Sequence, residues 1–140
     1  MLRKKNRLKP IIVDTNVVFS ALLGKNKALR DKLLEMEHAF YSCKFIMVEL
    51  FKYKEKIQKY STLPEEAILE LLYNLLKNIH FVDEYSLTPT SLKQAYDLCH
   101  DIDEKNIPFI ALTIELNGLL WTYDKKLKQC LENKGFYAFW

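Results

Sequence analysis

Short apolar runs alternate along this chain with longer segments in which apolar residues recur at helical spacing. The run at residues 11–13 is β-branched throughout, which favours a buried strand, and apolar positions at helical spacing follow over residues 17–22. Strands that are apolar on both faces need cover on both sides, which a parallel sheet receives from the helices that connect its strands. The alternation therefore predicts an α/β fold, with a parallel sheet covered by helices on both faces.

The same patterns locate the individual elements. Thr62 and Glu65 have the spacing of a capping box, with Pro64 in the first turn of the helix that they open. Thr88 and Pro89 open a later helix. We predict strands at residues 10–14, 38–42, 79–82, 119–122 and 136–139. We predict helices at residues 15–23, 28–36, 43–60, 62–76, 88–99, 107–116 and 125–133.

Length and composition indicate an ordinary globular protein. The 140 residues suit a single domain, and 49% of them are hydrophobic and 28% charged. No apolar stretch approaches the roughly 20 residues of a membrane helix, and no secretory signal follows the basic start. The three cysteines are scattered without a Cys-x-x-Cys pair, which argues against a disulfide framework and a zinc ribbon. We therefore expect a cytoplasmic protein with no membrane partner.

The net charge of +3 is concentrated at the start of the chain. Residues 1–9 are predicted to form a basic tail, and residues 10–140 one folded domain. Such a tail is either a solvated, disordered start or an arm that attracts the phosphates of a nucleic acid. The basic residues that precede Pro10, with no acid among them, are Arg3, Lys4, Lys5, Arg7 and Lys9.

Two aspartates stand at the ends of predicted strands. Asp14 ends the first strand, and Asp124 follows the strand at residues 119–122. The carboxyl ends of parallel strands meet at one edge of the sheet, where open α/β sheets bind their ligands, so these side chains should be neighbours. Each aspartate could instead simply cap the helix that follows it.

Further acids are placed to join this pair. Glu49 lies at the rim of the apolar stripe of the helix at residues 43–60, where it could otherwise pair with Lys52. The segment DIDEKNIPFIAL, residues 101–112, brings Asp101, Asp103 and Glu104 to the start of an apolar helix. Asp103 and Asn106 are three residues apart and would share one face of a helix.

Converging carboxylates repel one another and raise one another's pKa unless a cation neutralises them. A set of oxygen ligands without Cys or His is typical of Mg²⁺ or Mn²⁺ rather than of zinc. The acids therefore predict a site for one of these two ions at the carboxyl edge of the sheet.

Four segments together resemble the PIN-domain nucleases. These are VDTNVVFSAL, the glutamate in VELFKYKEKI, the segment DEKNIPFIALTIELNGLLWT and the closing TYDKKL. The resemblance implies a three-layer α/β/α sandwich with a mainly parallel, twisted sheet of four or five strands. It assigns Asp14, Glu49 and Asp124 to the first, second and fourth acidic positions. Thr15, Asn16 and Thr122 match polar positions that support the site.

The resemblance also implies an activity and partners. PIN-domain nucleases cut single-stranded RNA with divalent metal ions, often as homodimers. Many bacterial members, the VapC type among them, are toxins held by a small antitoxin protein. The RNA strand would lie along the carboxylate edge, and we assign phosphate contacts to Lys125, Lys126 or the basic tail from their charge.

One position departs from the family pattern, because Asn106 stands where the third acid is expected. An amide oxygen can bind a metal ion but brings no negative charge, and Asp103 could serve instead. We expect catalysis by Asp14, Glu49, Asp103 and Asp124, with Asn106 as a further metal ligand. The alternative is a catalytically degenerate domain that binds RNA or protein. A phosphotransferase with Asp14 as nucleophile would commonly carry a second Asp where Asn16 stands.

Overall fold

A sheet of four parallel strands organises the part of the chain that this computed structural model describes, residues 8–35 and 37–140. The order across the sheet is β3-β2-β1-β4, and Val13 of β1 lies beside Trp121 of β4. Because β2 and β4 flank β1 on opposite sides, the direction of winding reverses between β1 and β4, and the carboxyl ends of such a pair border a crevice. The strands are β1 (Ile11–Val13), β2 (Phe40–Cys43), β3 (Ile79–Val82) and β4 (Leu119–Trp121).

Helices cover both faces of this sheet. On one face α7 packs on β1, β2 and β4, and α6 packs on α7; on the other face α1 packs against α3 and α5. The predicted α/β/α sandwich with a parallel sheet is confirmed. The helices are α1 (Thr15–Leu22), α2 (Lys27–Leu34), α3 (Phe45–Lys52), α4 (Lys54–Tyr60), α5 (Glu65–Asn78), α6 (Pro89–Cys99), α7 (Ile107–Glu115) and α8 (Lys125–Asn133).

The core explains the apolar runs of the sequence. All three residues of β1 are buried, as are residues 109–113 of α7, which lie against the sheet. A strand buried on both faces has no alternating polar positions, as expected for a parallel sheet between two helical layers.

The predicted long helix at residues 43–60 is two helices. Tyr53, with φ −98° and ψ 9°, ends α3 and precedes α4. The N–H of Tyr53 is shared between the carbonyl oxygens of Glu49 (3.1 Å) and Leu50 (3.2 Å), so the helical bonding pattern is interrupted there. The aromatic ring of Tyr53 packs edge-on against Phe19 of α1, with 5.8 Å between ring centroids. α3 and α4 are therefore separate helices that meet at Tyr53.

The predicted capping box does not form. Thr62 Oγ1 donates to the carbonyl oxygen of Leu23 (3.3 Å) instead of capping a helix, and α5 begins at Glu65. Ser61 Oγ donates to the carbonyl oxygen of Leu22 (2.7 Å). Both hydroxyls therefore join this loop to the end of α1, an interaction that local spacing does not reveal.

Other differences concern segment ends. Residues 136–139 do not form the predicted strand but a single bridge to β4, between Phe139 and Leu120. The predicted helix at residues 28–36 ends at Leu34, and Met36 lies outside the described residues. Residues 1–7 of the predicted basic tail lie outside them too. Within residues 8–35 and 37–140, the helices are all too short or too polar to cross a membrane.

Candidate functional site

An open cleft of about 390 Å³ lies at the carboxyl edge of the sheet, where Asp14 follows β1. It is the crevice expected at the point where the winding of the sheet reverses. Seven of the residues singled out in the sequence line it, together with three that were not. The lining residues are Asp14, Thr15, Asn16, Phe19, Glu49, Tyr53, Lys56, Asp103, Asn106 and Asp124.

Asp14 is the most buried carboxylate of the cleft, with 6% of its surface exposed. Its Oδ1 accepts a hydrogen bond from the N–H of Thr15 (2.7 Å), and its Oδ2 accepts one from Thr122 Oγ1 (2.8 Å). Burial raises the pKa of Asp14 from 3.8 to about 6; the bonds from Thr122 and Thr15 oppose the rise, and the charges of Glu49 and Asp124 add to it. A carboxylate in this setting gains from a neighbouring cation.

Thr122 and Asn16 hold the ends of β1 and β4 together. Thr122 Oγ1 donates to Asp14 and accepts from Asn16 Nδ2 (3.2 Å) and from the N–H of Asp124 (3.1 Å). Asn16 Oδ1 accepts from the N–H of Tyr123 (3.0 Å). These bonds fix Asp14 and Asp124 relative to each other. The resemblance implied such a supporting role for Thr122 and Asn16.

Glu49 reaches the cleft from α3. The Thr15 hydroxyl donates to Glu49 Oε1 (2.6 Å), so Thr15 holds Glu49 with its side chain and Asp14 with its backbone. Lys44, at the start of α3, makes no side-chain cap, and the N–H of Phe45 instead donates to Glu84 Oε1 (2.5 Å) from the turn after β3. A carboxylate at a helix N-terminus is favourable, so Glu84 helps to position α3.

Asp124 has two functions at once. Its Oδ1 accepts a hydrogen bond from the N–H of Leu127 (3.0 Å) and caps α8, as expected for an aspartate that precedes a helix. The side chain is exposed and also lines the cleft. One carboxylate oxygen therefore serves the helix, and Oδ2 is available to a ligand.

The acids before α7 divide into two groups. Asp103 and Asn106 both line the cleft, but they lie on a short 3₁₀ turn (Glu104–Asn106), with Asp103 as its cap through a bond from the N–H of Lys105 (3.0 Å). They do not share the face of an α-helix. Asp101 lies elsewhere, because Lys134 Nζ binds its Oδ1 (2.5 Å) and keeps the pKa of this carboxyl below its usual range.

The donors of the cleft suit Mg²⁺ or Mn²⁺. They are carboxylate, amide and hydroxyl oxygens, and the buried Asp14 needs a positive neighbour. Elsewhere in the described chain, Glu35, Glu37 and His38 bring one ligand atom each within 4.8 Å of one another, a convergence that the cleft acids do not reach. The wider spacing fits an ion that keeps several water ligands, as Mg²⁺ commonly does.

The positive charge at the cleft comes from an unexpected residue. Lys56 lines the cleft, with its Nζ 5.5 Å from the centroid of the Tyr53 ring. Lys125 is exposed at the start of α8 without lining the cleft, and Lys126 lines a separate depression beside Asp101. The available signal was that Lys56 follows Glu49 by seven residues, close to two helical turns. Because the helix breaks at Tyr53, the spacing of a continuous helix does not hold between Glu49 and Lys56.

A family model described as PIN domain matches residues 12–133, which include all of β1 except Ile11, the other three strands and every lining residue of the cleft. No curated protein matches the chain. PIN domains are generally metal-dependent nucleases and typically bind divalent ions.

Proposed function

The chain belongs to the PIN-domain family, and we propose that it is a divalent-metal-dependent endoribonuclease that hydrolyses single-stranded RNA. The observation that carries the proposal is the meeting of four carboxylates in one cleft. Asp14, Glu49, Asp103 and Asp124 come from four separate segments of the chain, yet all of them line it. Helix capping accounts for Asp14 and Asp124 singly, but not for the presence of all four acids in one cleft.

In the proposed mechanism Asp14, Glu49 and Asp103, with the Asn106 amide oxygen, would hold and orient a divalent ion. When bound, Mg²⁺ or Mn²⁺ lowers the pKa of a water molecule and stabilises negative charge on the scissile phosphate. Thr15 and Thr122 keep Glu49 and Asp14 in place through their hydroxyls. Lys56 contributes positive charge to the same cleft, where it can contact a phosphate of the RNA strand.

The proton of the attacking water needs an acceptor. Asp124 is exposed and has only Oδ1 engaged in the cap of α8, so we assign this role to its Oδ2. The water oxygen bonds to phosphorus as the bond from phosphorus to the 3′ oxygen breaks, and the 3′ oxygen takes up a proton from solvent. The products carry a 5′-phosphate and a 3′-hydroxyl.

The test is cleavage of an end-labelled, unstructured RNA by the purified protein with Mn²⁺, Mg²⁺ or EDTA. We expect cutting with either ion, none in EDTA, and none by Asp14→Asn. Glu37→Gln is the matched control, because Glu37 is an exposed acid that does not line the cleft, and it should cut at the normal rate. Equal cutting by Asp14→Asn and the native protein would contradict the proposal.

A second candidate function rests on Asn106, which lines the cleft where the family pattern has an acid. A domain that has lost one negative ligand could bind RNA or protein without cutting. Native protein that stays inactive with both ions, while Asn106→Asp cuts, would favour this degenerate binding module. Cutting by the native protein would exclude it.

A further inference from the structure

A second open depression, of about 400 Å³, lies beside the carboxylate cleft. Tyr123 lines this depression, and the next residue, Asp124, lines the cleft. Because consecutive Cα atoms are about 3.8 Å apart, the two sites are adjacent at the end of β4. The lining of the depression includes Asn26, Lys32, Trp121, Tyr123 and Trp140.

The depression is built around three aromatic rings. Trp140 stands edge-on to Trp121, with ring centroids 4.8 Å apart and an angle of 84° between the rings. Tyr123 stands edge-on to Trp121 from another side, at 6.4 Å and 81°. Packing against the core explains the buried Trp121, but 46% of Tyr123 is exposed. Nearly half of Tyr123 is therefore open to solvent beside the buried Trp121.

The position of Tyr123 is fixed by the neighbouring site. Its N–H donates to Asn16 Oδ1, and Asn16 in turn donates to Thr122 Oγ1. Thr122 is the residue that binds Asp14. The backbone that carries the exposed ring is thus held by the same hydrogen bonds that hold the carboxylates.

Polar groups at the depression match a nucleotide. Lys32 is exposed, and its Nζ lies 4.8 Å from the centroid of the Trp140 ring, where it can meet a phosphate. Asn26 is exposed too, and its Oδ1 caps α2 through the N–H of Leu29 (3.0 Å). Asn26 lines the depression, so its side-chain NH₂ can donate to the edge of a bound base.

We propose that this depression binds a nucleobase of the single strand whose phosphate occupies the adjacent cleft, by stacking on Tyr123, with Lys32 on the backbone. The choice of RNA as ligand rests on the proposed function. Stacking accepts any base because every base has an aromatic face. The subsite therefore orients the strand without selecting a sequence.

Intrinsic fluorescence tests this proposal directly, because the two tryptophans of the chain, Trp121 and Trp140, both line the depression. A short oligoadenylate is titrated into the native protein in EDTA, so that binding is measured without cleavage. We expect quenching, and none from an abasic ribose-phosphate chain of equal length and charge. Tyr123→Ala should weaken the binding of oligoadenylate roughly tenfold, and Tyr123→Phe should retain it.

Tyr85→Ala is the matched control, because Tyr85 is 94% exposed in the turn after β3, away from β4. It should bind as the native protein does. Absence of quenching, equal quenching by the abasic chain, or unchanged affinity of Tyr123→Ala would each overturn the subsite. If oligoadenylate quenches the fluorescence but the protein never cuts RNA, the proposed nuclease activity is refuted and the base-binding subsite stands. If the protein cuts RNA but shows no quenching, the subsite is refuted and the nuclease activity stands.

Discussion

The Thr15 hydroxyl donates a hydrogen bond of 2.6 Å to Glu49 Oε1 and thereby joins the start of α1 to α3 across the cleft. The N–H of the same residue donates to Asp14 Oδ1. One threonine, itself 5% exposed, thus sets the relative position of two carboxylates that are 35 residues apart in the chain. If the cleft binds metal, this residue should affect the affinity without touching the ion.

Replacing Thr15 with valine removes the hydroxyl and keeps the shape of the side chain. We expect the affinity for Mn²⁺ to fall on the order of tenfold, because Glu49 loses the partner that orients it. Thr15→Ser should retain most of the affinity, since it keeps the hydroxyl. The measurement is calorimetric titration of Mn²⁺ into each variant. A normal affinity in Thr15→Val would show that Glu49 does not depend on this bond.

Asp14→Asn should stabilise the metal-free protein at high pH. The pKa of Asp14 is about 6 in the folded state against 3.8 for an ordinary aspartate, so folding favours its protonated form. Its contribution to stability is fully present below pH 3.8 and is lost as the pH rises through 6. Above pH 6, the folded protein carries a buried charge at Asp14 that lowers the free energy of unfolding by on the order of 3 kcal/mol. The amide removes this cost.

Urea denaturation in EDTA at two pH values checks this prediction. At pH about 8 the variant should be more stable than the native protein by about 1–3 kcal/mol, and near pH 4 the difference should be small. Saturating Mn²⁺ should stabilise only the native protein. A variant that is less stable than the native protein by the same amount at both pH values would contradict this account of Asp14.

Asn106→Asp adds a carboxylate to a cleft that already contains four. We expect Mn²⁺ to bind roughly tenfold more tightly, because the added charge attracts the ion. The metal-free variant should be less stable at neutral pH, because the acids repel one another. Calorimetry for binding and urea denaturation for stability measure the two effects. Weaker Mn²⁺ binding by the variant would show that this residue does not face the ion.

Lys56→Gln should weaken RNA binding more than Lys126→Gln. Both lysines are exposed, but Lys56 lines the carboxylate cleft and Lys126 lines the depression beside Asp101. Loss of a phosphate contact should lower the affinity and reduce the salt dependence of binding by about one unit in slope. Fluorescence anisotropy of a labelled RNA at several salt concentrations gives both quantities. A larger loss of RNA affinity in Lys126→Gln would instead favour Lys126 as the phosphate contact, as predicted from the sequence.

The sequence predicted the elements with a strong apolar pattern. The strand at residues 79–82 and the helix at residues 125–133 have their predicted bounds. The apolar run marks the strand, and the Asp124 cap marks the start of the helix. The break at Tyr53 was not predicted, because the stripe of apolar residues continues through it, to Ile57 in α4. The ring of Tyr53 packs there against Phe19, a contact that local periodicity does not reveal.

At the site, chain order and sheet topology were sufficient to expect Asp14 and Asp124 as neighbours. The role of Lys56 was hard to predict, because its spacing from Glu49 spans the helix break at Tyr53. Nor was the ion pair of Asp101 with Lys134, since these residues are 33 positions apart and meet only in the folded chain. Long-range contacts of this kind decide which of several nearby acids lines a cleft.

The central claim is that the carboxylate cleft is a divalent-metal site, and Mn²⁺ titration followed by electron paramagnetic resonance tests it most directly. Because Glu35, Glu37 and His38 form another group of ligand atoms, Glu37→Gln is titrated in parallel with Asp14→Asn and Glu49→Gln. The account predicts Mn²⁺ binding that Glu37→Gln retains and that both cleft variants lose. Binding that persists in Asp14→Asn and Glu49→Gln but disappears in Glu37→Gln would contradict it.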